Sequence, residues 1–508
     1  MEQILRPVIE RSGQAIGGLQ SMHRSAFPVR WSFSTAALLA LSACATSQVD
    51  VAQPTVAVPA TWALDETQRA AAAPVSAELA QYWTLLGDPL LTQFVEQAIV
   101  ENRDLAISAA RLDQARASLV QARAGYLPAI SATGGINRDI GDFSRDGVQF
   151  SLGADASWEA DIFGQISSSV SAAKADLAAT GYSLADLQRL LVGQVAIATV
   201  NARATSQQLE IARNTLAYQE DNLQIARWRN QAGLVSSLDV EQARTQRAQT
   251  AATVPLLESS LAATANAIST LIGEPPGRVY NAFDTVGPAA VPQPPLLTGF
   301  EAPADVLRRR PDVRSAEAAL VADSARIGVA RAQLLPLVRL TGSIGTSQET
   351  LGSLFDVITG NLFAGVSQLI FDGGRTRAQI DSAEAGARAS LANWEQSILN
   401  ALEDVETASV DLRTAGLRVD INDEALDAAS NSALLARSQY QGGLTDFRTL
   451  LTAENLLLSA RNQMVSAEAD RAISFVRLTQ ALGGGWTSTD YDFPLPDVAE
   501  RQADRNPE

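Results

Sequence analysis

Between Val148 and Ile162 the chain alternates with period two. Val148, Phe150, Leu152, Ala154, Ala156, Trp158, Ala160 and Ile162 are apolar, while Gln149, Ser151, Asp155, Ser157, Glu159 and Asp161 between them are polar. This pattern predicts a strand, residues 148–162, with one apolar and one wetted face, long for a strand of a soluble sandwich. Residues 127–140, 336–346 and 361–371 predict three partners with noisier alternation. Polar or Gly-rich tips at 141–147 and 347–360 make each pair a hairpin. Four strands are too few to close a lipid-facing barrel, which starts at about eight in single chains. Several copies must therefore pool them.

The rest of the pattern is helical and long. Residues 165–230 contain no proline and only two glycines, so a helix over 165–231 would run to roughly 100 Å. A second long helix is predicted over 374–441, with return helices over 237–272 and 446–482. Ala and Ser with scattered Leu, Ile and Val give small packing faces that allow close approach. Helices of this kind need neighbours along their length.

The two halves repeat one plan. Arg103-Asp104-Leu105 answers to Pro311-Asp312-Val313, Tyr126-Leu127-Pro128 to Leu334-Leu335-Pro336, and Ile162-Phe163-Gly164 to Ile370-Phe371-Asp372, each at an offset of 208. Ala232-Gly233-Leu234 then answers to Gly442-Gly443-Leu444, and Leu271-Ile272-Gly273 to Ala481-Leu482-Gly483, at an offset of 210. Landmarks kept in one order mark an internal duplication. The first repeat covers 88–273 and the second 301–483, joined by a linker at 274–300 and followed by a tail at 484–508. Each repeat reads as helix, proline-marked break, hairpin, long helix, Gly turn and return helix. Pro128 and Pro336 end helices because proline lacks an N–H and clashes with the preceding turn.

Composition removes several functions. One His (His23) and one Cys (Cys44) leave clustered metal sites and Cys-His or Ser-His-Asp chemistry with nothing to draw on. No catalytic residues, metal or cofactor are expected. A formal charge of −17 disfavours nucleic acid. No apolar run after the leader reaches the roughly 18 residues of a membrane helix, so any crossing is by strands.

The first 43 residues read as a leader. Arg24 and Arg30 precede an apolar stretch from Trp31 to Leu41, and Leu41-Ser42-Ala43-Cys44 resembles a bacterial lipobox. Cleavage before Cys44 would leave its thiol and new amino group to carry acyl chains, with 44–87 as anchor and extended segment. Ala45 favours the outer membrane by resemblance to lipoprotein sorting. Met22-His23-Arg24 makes an ordinary charged head, which points to Met22 as the true start.

Trp83 with Asp88-Pro89-Leu90, Ser157-Trp158-Glu159-Ala160-Asp161-Ile162-Phe163-Gly164, Arg309-Arg310-Pro311-Asp312-Val313-Arg314, Ile370-Phe371-Asp372-Gly373-Gly374-Arg375 and Ala481-Leu482-Gly483-Gly484-Gly485-Trp486 occur in this order. Together they resemble the TolC-like outer-membrane factor family, and within it the NodT-like lipoprotein branch, over residues 65–495. The resemblance implies a mainly α chain with a membrane β-barrel. Three copies would form a homotrimer with a 12-stranded barrel, four strands from each, above an α-helical periplasmic tunnel. Segments outside the repeats would wrap the tunnel's waist.

It also implies a function and its sites. The chain would be a passive conduit for drugs or other small molecules, served by an inner-membrane transporter of RND type and a periplasmic adaptor (membrane fusion) protein. The same duct in type I protein or polysaccharide secretion, or a lipid-anchored scaffold without a pore, are the other readings. Gly233, Leu234 and Val235 with Gly443, Leu444 and Thr445 match the family's adaptor-docking tips. Glycines that only cap helices are the plainer reading. Asp239 and Tyr440 match an acidic residue and a tyrosine whose hydrogen bond helps hold the tip closed. Thr449 and Thr452 stand where the family has a ring of aspartates, so Asp446 and Glu454 are the nearby acids that could supply the gate's charge. Trp158, Phe163 and Phe371 suit either a membrane-boundary girdle or core packing.

Overall fold

The computed structural model describes residues 53–59, 62, 79–138, 140, 147–286, 290–295 and 303–487. Cys44, Met22 and the leader lie outside them, as do the first hairpin's tip at 141–146 and the tail from 488.

The chain is mainly helical with four strands, built twice. A 3-10 turn at Tyr82–Leu86 leads into α1 (Pro89–Glu101) and α2 (Arg103–Ala124), then strands β1 (Ala129–Asn137) and β2 (Gln149–Ala160), α3 (Gln165–Gln231) and α4 (Ser237–Leu271). After α5 (Arg278–Val286), the second repeat runs α6 (Pro303–Arg309), α7 (Pro311–Ala332), β3 (Leu337–Gln348), β4 (Thr359–Ser367), α8 (Arg375–Gln441) and α9 (Phe447–Ala481). The duplication extends to lengths: α2 and α7 have 22 residues each, α3 and α8 67, α4 and α9 35.

The four strands form one antiparallel sheet in the order β1-β2-β3-β4. Its register puts most of the large apolar side chains on one face, Leu337 and Phe363 being the exceptions on the other. Ile130 opposes Ala156, Gly134 opposes Leu152, and Ile136 opposes Phe150; Trp158 opposes Leu340, and Ala154 opposes Ile344; Val338 opposes Val366, and Gly342 opposes Leu362. Directly opposed residues share a face, so all of these stand on one side. Ser131, Asp155, Ser157, Glu159, Arg339, Thr341, Ser343 and Asn361 fall on the other, where Arg339 and Glu159 approach to 3.8 Å. Within the protomer the apolar face is bare: Ile130 is 75% exposed, Leu362 84% and Val366 70%. No second sheet covers it among the described residues, which removes the soluble-sandwich reading.

Strand ends differ from the sequence expectation at the prolines. β1 begins at Ala129 rather than 127, and β3 at Leu337 rather than 336, because Pro128 and Pro336 have no N–H to donate. Leu337 pairs with Ser367, so β4 stops there, short of 371. Ile370 and Phe371 have no strand opposite them and stand fully out. The turn after them is held by Asp372, whose carboxylate accepts from the Gly374 and Thr376 N–H groups at 3.0 and 2.8 Å. Trp158 donates from its indole nitrogen to the Tyr126 carbonyl at 2.9 Å, tying β2 to the end of α2.

The core lies where the repeats meet, midway along the long helices. Tyr82, Trp83, Phe94, Val192, Val195, Ile268, Phe283 and Phe475 are buried in one cluster there. The linker expected at 274–300 contains a helix, α5, whose Phe283 meets Phe94 at 6.1 Å between ring centroids. Beside it the segment that precedes α1 meets the segment that follows α9, the Gly485 N–H donating to the Leu79 carbonyl at 3.0 Å. Residues 53–59 run along α8, where Thr55 donates to Glu395 from its N–H and hydroxyl at 2.9 and 2.8 Å. Away from the core the long hairpins carry smaller, Ala-rich contacts.

Candidate functional site

The long helices end in matching turns. Gly233 and Gly443 take the left-handed conformation (φ 71° and 73°), which costs glycine nothing. Behind each, two backbone bonds close a Schellman motif. The N–H groups of Leu234 and Gly233 donate to the Arg229 and Asn230 carbonyls at 2.8 and 2.9 Å, and those of Leu444 and Gly443 to Gln439 and Tyr440 at 2.8 and 3.1 Å. The geometry turns Leu234 and Leu444 outward, 74% and 82% exposed, with Val235 and Thr445 half-buried behind them.

The return helices begin on side-chain caps of different kinds. Ser236 and Asp239 form a reciprocal capping box, the Ser236 N–H donating to Asp239 at 3.1 Å and the Asp239 N–H to Ser236 at 3.4 Å. In the second tip Asp446 accepts from the Thr449 N–H and hydroxyl at 2.8 and 2.6 Å. The Thr449 hydroxyl, then its N–H, holds the Asp446 carboxyl below the usual carboxylate range. Thr452 donates back to the Arg448 carbonyl at 2.9 Å.

The expected Asp239–Tyr440 hydrogen bond is not made. Asp239 is engaged by its own cap, and the buried Tyr440 hydroxyl has no partner within the protomer. Tyr440 instead packs on Phe447 at 5.4 Å, and the Arg229 guanidinium lies 4.5 Å from its ring centroid. Nor is Glu454 free to charge a gate. Its side chain is 10% exposed and accepts from Asn222 at 3.0 and 2.9 Å and from Arg437 at 3.3 Å. Asp446 is the acid that remains exposed there. Arg229 escaped the sequence reading, though a basic residue in a last helical turn is a recognisable signal.

Among the described residues no group of His, Cys, Asp or Glu could hold a metal ion, and no helix is long and apolar enough to cross a membrane. What the geometry offers is a sheet greasy on one face, carried on two long hairpins with exposed leucines at their far ends. A sheet with one lipid-compatible face is what a membrane-inserted barrel is built from.

Comparison with known proteins identifies the class. The family model described as outer membrane efflux protein matches residues 94–274 and 302–484, once on each repeat. The chain belongs to this outer membrane efflux protein family, whose members are transport channels and not enzymes. It is 30% identical over 464 residues to the pyoverdine export outer membrane protein OpmQ of Pseudomonas aeruginosa, covering 89% of this chain and 96% of that one. It is also 30% identical to the cation efflux system protein CusC of Escherichia coli over 452 residues, 88% of this chain and 97% of that one. The solved outer-membrane channel OprN superposes with a TM-score of 0.76 at 30% identity, over 86% of this chain and all of that one.

Proposed function

We propose that three copies of this chain form one passive duct across the outer membrane and periplasm. The observation that carries the reading is the bare apolar face of the sheet. Four strands with β1 and β4 at the edges leave unpaired ladder groups and uncovered Ile, Leu and Val, a combination stable only if lipid covers the face and further strands close the edges. Three copies supply twelve strands, within the range of closed membrane barrels. Polar side chains such as Ser131, Ser157 and Thr341 then line the lumen.

The hairpins extend the duct into the periplasm. Gly233-Leu234-Val235 and Gly443-Leu444-Thr445 would receive an adaptor protein, the exposed leucines serving as its contacts. The adaptor would link the duct to an inner-membrane transporter, for which the RND type is the favoured reading. Acylation at Cys44 would fix the N-terminus in the outer membrane. Thr449 and Thr452 give the mouth neutral side chains, so Asp446 supplies what cation preference it has. Relatives at equal identity are named for pyoverdine export and for cation efflux. Cargoes of such different chemistry suggest that the duct admits what its transporter delivers, here drugs or other small molecules.

The purified protein should conduct ions in planar lipid bilayers, and a deletion strain should become more sensitive to antibiotics. Electrical silence across repeated insertions would exclude a duct in favour of a scaffold without a pore.

A further inference from the structure

One side chain breaks the polarity of the sheet's wet face. Ser157, Thr341, Ser343 and Asn361 set the character of that face, and of its two large apolar residues Leu337 is half-buried at the first position of β3. Phe363 stands in the middle of β4, opposite Thr341, and is 60% exposed. Its ring leans over Gly365, two residues on along the same face, where a Cβ would lie 2.5 Å from it. A ring laid over a strand glycine covers bare backbone, which is an ordinary structural use. An aliphatic side chain would cover the glycine as well, and most of this ring still faces outward, where water is a poor partner for it.

Pooling the strands of several copies does not cover the ring. In a closed barrel β4 joins the β1 of the next copy, and the β1 residues on the wet face are all short: Ala129, Ser131, Thr133, Gly135 and Asn137. Whatever the register of that seam, no large side chain of β1 is there to bury Phe363. On its other flank Thr341 stands opposite, with Ser343 and Arg339 at the diagonals, and Arg339 is answered by Glu159 at 3.8 Å. Asp155 differs from Glu159 in being exposed and without an ion pair among the described residues. The register puts it two strands from Phe363 and two residues along, about 12 Å away at ordinary strand spacing and rise. A bare ring and a free carboxylate at that separation, on one wall, complement a molecule that is aromatic at one end and positively charged at the other.

We propose that Phe363 and Asp155 of each copy form a cargo-contact site on the inner wall of the barrel, for amphipathic organic cations that carry an aromatic ring system. The inference rests on the reading of the chain as a conduit whose wet sheet face is the lumen. Stacking on the Phe363 ring and attraction to Asp155 are each weak at a wetted surface. Weak contact suits a duct, because a molecule held tightly would not leave it. Three copies repeat the site three times at one height, so cargo travelling along any part of the wall meets it.

Fluorescence polarisation of ethidium, a planar aromatic cation, tests this when it is titrated with the full-length protein in lipid nanodiscs and the signal of empty nanodiscs is subtracted. The wild type should bind saturably. Phe363→Ala should weaken binding about fivefold, the worth of one aromatic stack, and Asp155→Asn about threefold, as for an exposed charge pair. Phe363→Tyr keeps the ring and should bind as the wild type does. Leu362→Ala is the control, because Leu362 is the neighbouring residue on the opposite, apolar face; it should leave binding unchanged. Phe363→Leu keeps a cover for Gly365 without the aromatic stack and gives the same test should Phe363→Ala fail to fold. In a wild type that conducts, the absence of saturable binding overturns the site. Wild-type affinity in Phe363→Ala, Phe363→Leu or Asp155→Asn, or an equal loss in Leu362→Ala, does so too. A wild type that is silent in bilayers contradicts the conduit reading instead, and the site loses its lumen with it.

Discussion

Asn102 and Arg310 occupy equivalent points in the two repeats, 208 residues apart, and each reaches the last residue of its repeat's return helix. Asn102 donates its amide to the Leu271 carbonyl at 2.8 Å and caps α2 by accepting from the Asp104 and Leu105 N–H groups at 2.9 and 3.0 Å. Arg310 donates to the Ala481 carbonyl at 3.2 Å, and then pairs with Asp312 at 2.6 Å and Asp404 at 2.8 Å. Leu271 and Ala481 are themselves repeat equivalents, 210 apart. The same joint is thus made once with a neutral amide and once with a buried guanidinium.

The difference spreads to the neighbours. Asp104 is exposed, while its counterpart Asp312 belongs to a network that also includes Arg189, which pairs with Asp186 at 2.7 Å and donates to the Gln480 carbonyl at 3.1 Å. An amide that caps and docks at once costs little to bury. A guanidinium only 2% exposed must have its charge and all its donors answered, so the second joint is rigid when complete and fragile when any member is missing. The two solutions show that one backbone plan does not dictate one chemistry.

The largest expected effect comes from Arg310→Ala, which takes from Asp312 its nearest charge partner and from the Ala481 carbonyl its side-chain donor. It should destabilise by about 3 kcal/mol, the low end for a broken buried pair because Asp404 is half in solvent. Denaturant unfolding of the detergent-solubilised protein would measure it, and a loss below that of Asn102→Ala would erase the contrast between the joints. Gly193→Ala comes next. A Cβ there would meet the flexible amide end of the Gln480 side chain, which fills the notch and donates to the Arg189 carbonyl at 2.8 Å; the amide must withdraw, and the loss of that hydrogen bond costs about 1 kcal/mol. Asn102→Ala should lose about 1 kcal/mol, the usual cost of a cap, seen as a comparable shift in the same unfolding midpoint.

The smallest effect is in pH. Burial alone would raise the Asp312 carboxyl, but hydrogen bonds and charge from Arg310 more than offset it and hold it below its ordinary value. A depressed carboxylate stabilises the fold above its unfolded pKa, and that contribution is lost as pH falls through the folded value. Asp186 is raised, chiefly by burial, and acts in the opposite sense, acidification relieving its cost. Unfolding midpoints measured against pH should therefore show an acid limb that flattens in Asp312→Asn and steepens in Asp186→Asn.

The duplication, the four antiparallel strands and the predominance of helix were legible because they rest on spacing: matched landmarks, a period of two, and long stretches without proline. Strand ends were less so. Where β4 stops is decided by Pro336 across the sheet, a partner that no local pattern in 359–371 reveals. Nor could Arg309-Arg310-Pro311 say which arginine turns inward; the break between α6 and α7 decides it by placing Arg310 under Ala481. At the tips, the Asp239–Tyr440 pairing overlooked a nearer competitor. Ser236-Ser237-Leu238-Asp239 is itself a capping-box sequence, and the local bond takes the carboxylate. Arg229 and Gln480 act between helices far apart in sequence, where periodicity carries no information.

The proposed duct requires that one sheet with a greasy face and two open edges be a third of a barrel. Native mass spectrometry of the detergent-solubilised protein tests it most directly. A single species of three chains is expected, and a protein that stays a monomer under conditions that preserve its helices overturns the pooled barrel.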